Sequence, residues 1–187
     1  DPDQTEALLK NPKFKGSAAA TLGLIFMTLD SNGVSANKAL KDTRVRQAIF
    51  KGINRDELRT LYWGTNKPDF STDNLCFRLM AGCDFTDGLI KYDPEGAKKL
   101  LAEAGYGPNN PVKTTIFSHP LAQYAGAQDV QEALAQYWRA IGIDIQLNTM
   151  DQTQMQTASR GCQLTNHLDL IGTSGAPLGP YGYYNSS

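Results

Sequence analysis

Cysteine and histidine are scarce in this chain. Three cysteines and two histidines stand among 187 residues, too few for an array of zinc modules or a disulfide-dense scaffold. No apolar run reaches the roughly 20 residues that a membrane-spanning helix requires. Neither sign of charge prevails: 18 basic against 19 acidic side chains leave a formal charge of −1 and a pI near 6.1. Nothing in that balance favours nucleic acid or an anionic membrane surface. Catalytic signatures are missing as well. There is no Gly-rich phosphate loop followed by Lys, no GxSxG and no HExxH. "GYGPNN" carries two glycines but follows a helical stretch, so it lacks the strand-to-helix setting of a dinucleotide site. Internal repeats and low-complexity segments are absent too.

What remains suits a globular fold. At 41% hydrophobic and 20% charged, the chain can bury a core, and its length fits a single domain over 1–187. "KFKGSAAATLGLIFMTL" places lysines before an apolar run, as a secretory signal does. Asp1, Asp3 and Glu6 precede it, so Thr21 to Leu29 is read as a buried strand. A signal peptide, if the protein is exported, lies outside this chain.

Helix grammar is clear further on. A short helix is expected at Gln4 to Lys10, and "DSNGVSANKAL" is a loop by composition. Asp42 caps a helix whose inner face is Val45, Ala48 and Ile49, and Gly52 ends it. Asn54 opens a second helix, with Glu57 in capping-box position, running to about Trp63. "YDPEGAKKLLAEAGYG" is the most explicit: Asp93 as N-cap, Pro94 in the first turn, Glu95 at the positive end of the helix dipole, and Ala97, Leu100, Leu101 and Ala104 as the buried stripe. Gly105 supplies the stop. "VKTTIF" then alternates as a strand. Tyr124 to Ile141 forms a long helix with Ala127, Val130, Leu134, Trp138 and Ile141 inward, and "IDIQL" alternates again. Strand, helix and strand with short links predict a βαβ unit with parallel strands. A polar helix at Gln152 to Ser159 and a short strand, "LDLI", complete an α/β fold: a mixed sheet flanked by helices.

Candidate chemistry is thin. Cys76 and Cys83 could close a small loop or be two ordinary thiols. Cys162 and His167 could pair as thiol and imidazole, and three cysteines with a histidine could be assembled into a zinc site. Spacing supports neither arrangement, so no catalytic residue, metal or cofactor is assigned. His119, before Pro120, reads as a satisfied or surface residue. Two loops draw attention instead: Thr65 to Gly88, with Asn74 and Phe77, and Gly172 onward, with Thr173, Ser174 and Gly175. Ligands of open α/β sheets commonly bind beyond the carboxyl ends of the strands. Both loops combine hydrogen-bonding and aromatic groups suited to a small polar ligand.

The order of three motifs adds a resemblance. "DTRVRQAIFKGINRDEL", "YDPEGAKKLLAEAGYG" and "LAQYWRAIGIDIQL" resemble the extracellular solute-binding proteins of family 5, the peptide-, dipeptide- and nickel-binding receptors of ABC importers, over about Asp42 to Ile171. The resemblance implies the C-terminal lobe of a periplasmic-binding-protein-like type II fold, with the other lobe and the C-terminal return outside this chain. It implies export to the periplasm or cell exterior, a Cys76–Cys83 disulfide, and delivery of a solute to ABC permease subunits. Many peptide-binding members carry Trp and Asp after the strand matching "LDLI". Here "GTSGAPLGP" stands there, with Thr173 in the Trp position and no acid following. That departure extends the candidate solutes from peptides to opine-like or sugar-like molecules held by neutral hydrogen bonds. Arg160 falls where some members use a basic residue toward a ligand carboxylate; equally, it reads as a C-terminal charge that complements a helix dipole. The alternatives are a hydrolase using Cys162, or a receptor of this fold that signals to a membrane partner.

Overall fold

Helix ends decide much of this architecture, because each leaves backbone groups that need partners. The computed structural model describes residues 7–16, 23–33, 38–63, 90–119, 127–161, 164 and 167–174. It describes only the backbone of 23–26, 28, 62–63, 127, 159 and 167–174. Two compact units divide the chain. One comprises Asp1–Ile25, Arg55–Ile90 and Gly172–Ser187; the other comprises Phe26–Asn54 and Lys91–Ile171.

The elements follow in the order β1 (Gly23–Leu29), a 3-10 turn (Lys38–Lys41), α1 (Thr43–Lys51), α2 (Arg55–Trp63), α3 (Pro94–Glu103), β2 (Lys113–Ser118), α4 (Ala127–Ala140), β3 (Asp144–Thr149), α5 (Gln152–Arg160) and β4 (His167–Ser174). Four strands form one sheet in the order β1-β4-β2-β3. β2 runs parallel to β3 from Lys113 opposite Asp144 to Ser118 opposite Thr149. It also runs parallel to β4 from Thr115 opposite His167 to Ser118 opposite Leu170. The expected βαβ unit is therefore β2-α4-β3, with α4 packed on both of its strands.

In the second unit α1 and α3 lie against each other, and both start where an aspartate predicts. Asp42 accepts from the backbone N–H of Arg44, and Asp93 from that of Gly96. Charged contacts join opposite ends of the pair, so the helices run antiparallel. Arg44 Nη1 donates to the Glu103 carbonyl at 2.7 Å, and Lys51 Nζ meets Asp93 Oδ2 at 2.7 Å. The stops of α3 and α4 share one design. Tyr106 N–H reaches Leu101 O and Ile143 N–H reaches Trp138 O, both at 2.9 Å. Gly105 and Gly142 take the left-handed conformation that such a closure needs, with φ of +86° and +92°. Gly52 ends α1 for a different reason. Its φ is −72°, but an added Cβ would sit 2.9 Å from Ile141 Cδ1.

The core of this unit gathers Leu40, Val45, Ile49, Ile116, Trp138 and Ile143, all buried. Trp138 is fully buried, and its Nε1 donates to the Ile49 carbonyl at 2.9 Å. That carbonyl lies in the last turn of α1, among those a helix leaves without an internal donor. In the first unit, α2 carries an Asp56–Arg59 ion pair, and Arg55 Nη1 donates to the Ile90 carbonyl at 2.9 Å.

Three expectations need correction. Lys38–Lys41 is a 3-10 turn rather than loop, because Ala39 and Leu40 bury their side chains. Leu100 and Ala104 are half-buried; only Ala97 and Leu101 of the α3 stripe enter the core. β4 extends beyond "LDLI" to Ser174, so Thr173 and Ser174 are strand residues and not the start of a loop. β2 ends opposite Leu170; β4 continues past it, with β1 as its other neighbour.

Two predictions follow from these contacts. Trp138→Phe keeps most of the ring volume but strands a buried carbonyl, so urea unfolding should show a loss of about 2 kcal/mol. Trp138→Ala should lose about 3–5 kcal/mol; no loss in the Phe variant would remove the hydrogen bond from the account. The second concerns acid. The Arg44 guanidinium, helped by the Arg44 backbone N–H, holds the Asp42 carboxyl at about 2, below its ordinary 3.8. Lys51, helped by the Gly96 N–H, lowers Asp93 in the same direction. A carboxyl more acidic when folded contributes fully above its unfolded pKa, near 4, and loses that contribution as pH falls through its folded value. Stability should therefore drop between about pH 4 and 2, less steeply in Asp42→Asn and Asp93→Asn; slopes equal to wild type would contradict the assignment.

Candidate functional site

Parallel strands bring their carboxyl ends to one edge of a sheet, and here that edge is polar. Ser118 ends β2 and Thr149 ends β3, paired in register. Met150 N–H continues the ladder to the Ser118 carbonyl at 2.8 Å. Ser118 is nearly fully buried, and so is Gln131 in the first half of α4. Ser118 Oγ donates to Gln131 Oε1 at 2.6 Å, and Gln131 Nε2 donates to the Ile116 carbonyl at 3.2 Å. Ser118 Oγ also lies 3.5 Å from Thr149 Oγ1. A buried glutamine is tolerated here because both ends of its amide are satisfied.

Beside this cluster lies an open depression of about 510 Å³, lined by Asn148, Thr149, Met150, Thr153, Gln154 and Thr157, among others. Its far wall is α5, which starts with a reciprocal cap. Asp151 Oδ1 accepts from Gln154 N–H at 2.8 Å, while Gln154 Oε1 accepts from Asp151 N–H at 3.2 Å. Met155 is buried and anchors the helix from its other face. The named lining is uncharged. It offers hydroxyls, amides and a thioether, which can hold amide or hydroxyl groups of a ligand but supply no general base.

His119 follows Ser118. It is half-buried, and its Nδ1 is buried without a hydrogen-bond partner. Burial pushes its pKa below 6.5, so the ring is neutral at pH 7. The expectation of a satisfied or surface histidine does not hold at Nδ1.

The residues singled out in the sequence are distributed differently. Arg160 is exposed in the last turn of α5, where its charge complements the helix dipole, and it does not line the depression. Thr173 and Ser174 are the last two residues of β4, and His167 is its first, opposite Thr115. Asn74, Cys76, Phe77, Cys83, Cys162 and Gly175 lie outside the described residues. Among the described residues no three His, Cys, Asp or Glu side chains cluster as metal ligands, and no helix is long and apolar enough to cross a membrane. Ser118, Gln131 and Thr149 escaped the sequence reading. The available signal was Gln131 itself, four residues before Ala135 and seven before Trp138 on the inward face of α4, where an apolar residue is the norm.

Comparison with known proteins adds to this geometry. A peptide-binding protein assigned to an ABC transporter in Brucella ovis is 35% identical over 119 residues, covering 59% of this chain and 20% of its own length. The dipeptide-binding protein of Escherichia coli is 27% identical over 142 residues, covering 75% of this chain and 26% of its own. The crystal structure of NikA from Brucella suis in complex with Fe(III)-EDTA superposes with a TM-score of 0.81 at 21% identity, over 99% of this chain and 37% of that one. The fold is thus that of a type II periplasmic binding protein. These proteins give no support to the sugar-like or opine-like solutes raised above. The chain spans well under a third of the length of the curated relatives just described. The profile of the bacterial extracellular solute-binding proteins, family 5 (middle), matches residues 1–186, and the chain belongs to that family.

Proposed function

We propose that this chain is part of the C-terminal lobe of an exported receptor that binds a peptide between two lobes and delivers it to an ABC permease. The observation that carries this reading is the uncharged hydrogen-bonding edge formed by Ser118, Thr149 and the α5 wall, at the carboxyl ends of parallel strands. Such a surface can hydrogen-bond amides without transforming what it holds. Relatives named for peptide and dipeptide binding support the solute class, and the family's description as extracellular supports the compartment. The role is binding and not catalysis. Thr173, Ser174, Gly175, Asn74, Phe77 and Arg160 remain proposed contacts from the flanking segments, and closure of one lobe on the other completes the site.

The split site has a measurable consequence. A micromolar ligand is held by about 8 kcal/mol, and half of that leaves roughly millimolar binding. Calorimetry with the peptide that co-purifies with the longer receptor should find micromolar affinity there and about a thousandfold less for residues 1–187 alone. Micromolar binding by 1–187 alone would refute the two-lobed reading, and a chelated metal in place of a peptide in native mass spectra would refute the solute class. Export gives the second test. Peptide mapping of unreduced secreted protein should find Cys76 joined to Cys83, a link lost on reduction; free thiols at both positions would remove the bridge.

A further inference from the structure

The Gln131–Ser118–Thr149 chain has a direction, set by which atoms own protons. Ile116 O can only accept, so the Gln131 amide turns Nε2 toward it and Oε1 toward Ser118. Oε1 can only accept, so Ser118 spends its single proton there, at 2.6 Å. Toward Thr149 the Ser118 oxygen is left with lone pairs alone. The contact between the hydroxyls is weak, at 3.5 Å longer than the usual O–H···O bond, and with the Ser118 proton committed to Gln131 only Thr149 can donate in it. Thr149 is exposed and lines the depression. With its proton turned inward, what it shows the depression is an oxygen lone pair.

We propose that Gln131 and Ser118 are positioning residues that make Thr149 a dedicated acceptor, so that this site selects a ligand N–H over an N-alkylated or oxygen-only group at the same place. The inference rests on the peptide-binding reading and deepens it: the group read here is a peptide amide N–H or an ammonium. Thr149 alone would be indifferent, since a free hydroxyl can donate or accept. The buried glutamine, which does not itself line the depression, removes that indifference. A leucine at 131 would suit the core equally well by polarity but would free the Ser118 proton, and Thr149 could then present either sense.

The test uses the longer receptor and a pool of di- to pentapeptides. The tightest binder is resynthesised with each amide N-methylated in turn. At one amide, methylation should weaken binding by about tenfold, the cost of one unmade hydrogen bond. Thr149→Ser should keep that ratio. Thr149→Val should bring it close to unity, and because Thr149 is exposed the variant should melt at the wild-type temperature. Gln131→Leu should reduce the ratio without contacting the ligand, a shift that a purely structural role would not produce. If peptides bind and the ratios in Thr149→Val and Gln131→Leu match wild type, the acceptor assignment falls while the peptide reading stands. Binding that no amide methylation weakens has the same consequence. If no peptide in the pool binds, both fall together.

Discussion

One indole N–H organises the larger unit. The last turn of α1 leaves the Ile49 carbonyl without a helical donor, and Trp138 Nε1 supplies one from α4 at 2.9 Å inside the core. An unmet carbonyl there would cost more than the bond's net gain on folding, so α1 and α4 are held in one relative position. Gly52 reinforces it, because Ile141 occupies the space a side chain would need. α4 in turn lies on β2 and β3. The orientation of that helix therefore decides where Gln131 enters, and hence how the carboxyl ends of the two strands are dressed.

Elements with local causes were legible in the sequence. Asp42 and Asp93 announce helix starts because a side-chain oxygen satisfies a free N–H wherever it is placed. Gly105 and Gly142 announce stops because few other residues take a positive φ at low cost. The β2-α4-β3 unit could be read from two alternating runs flanking one helical stripe. Tertiary causes were not legible. Leu40 is buried in a 3-10 turn whose composition reads as loop, and β4 outlasts its hydrophobic run through Gly172, Thr173 and Ser174, of which only Thr173 is a residue that favours strands.

The candidate site divides along the same line. Composition directed attention to loops rich in Gly, Ser and aromatics, because loops advertise their polarity. Ser118, Gln131 and Thr149 advertise nothing: each is a common polar residue inside a regular element. Only the parallel register and the depth of α4 bring them together. A glutamine on an inward stripe is the one anomaly the pattern holds, and it marks a satisfied network more often than a defect. Arg160 advertises itself by charge: it is exposed at the end of α5, where a cation complements the helix dipole, and contact with a ligand carboxylate stays a proposal.

The central claim is that the carboxyl edge of β2 and β3 is the face that meets the solute. A crystal structure of the longer receptor with its co-purified ligand tests it most directly. A ligand nitrogen is expected within about 3 Å of Thr149 Oγ1, with Ser118 and Gln131 unmoved beneath it. A ligand seated against the amino ends of the strands, or against neither end, would contradict it.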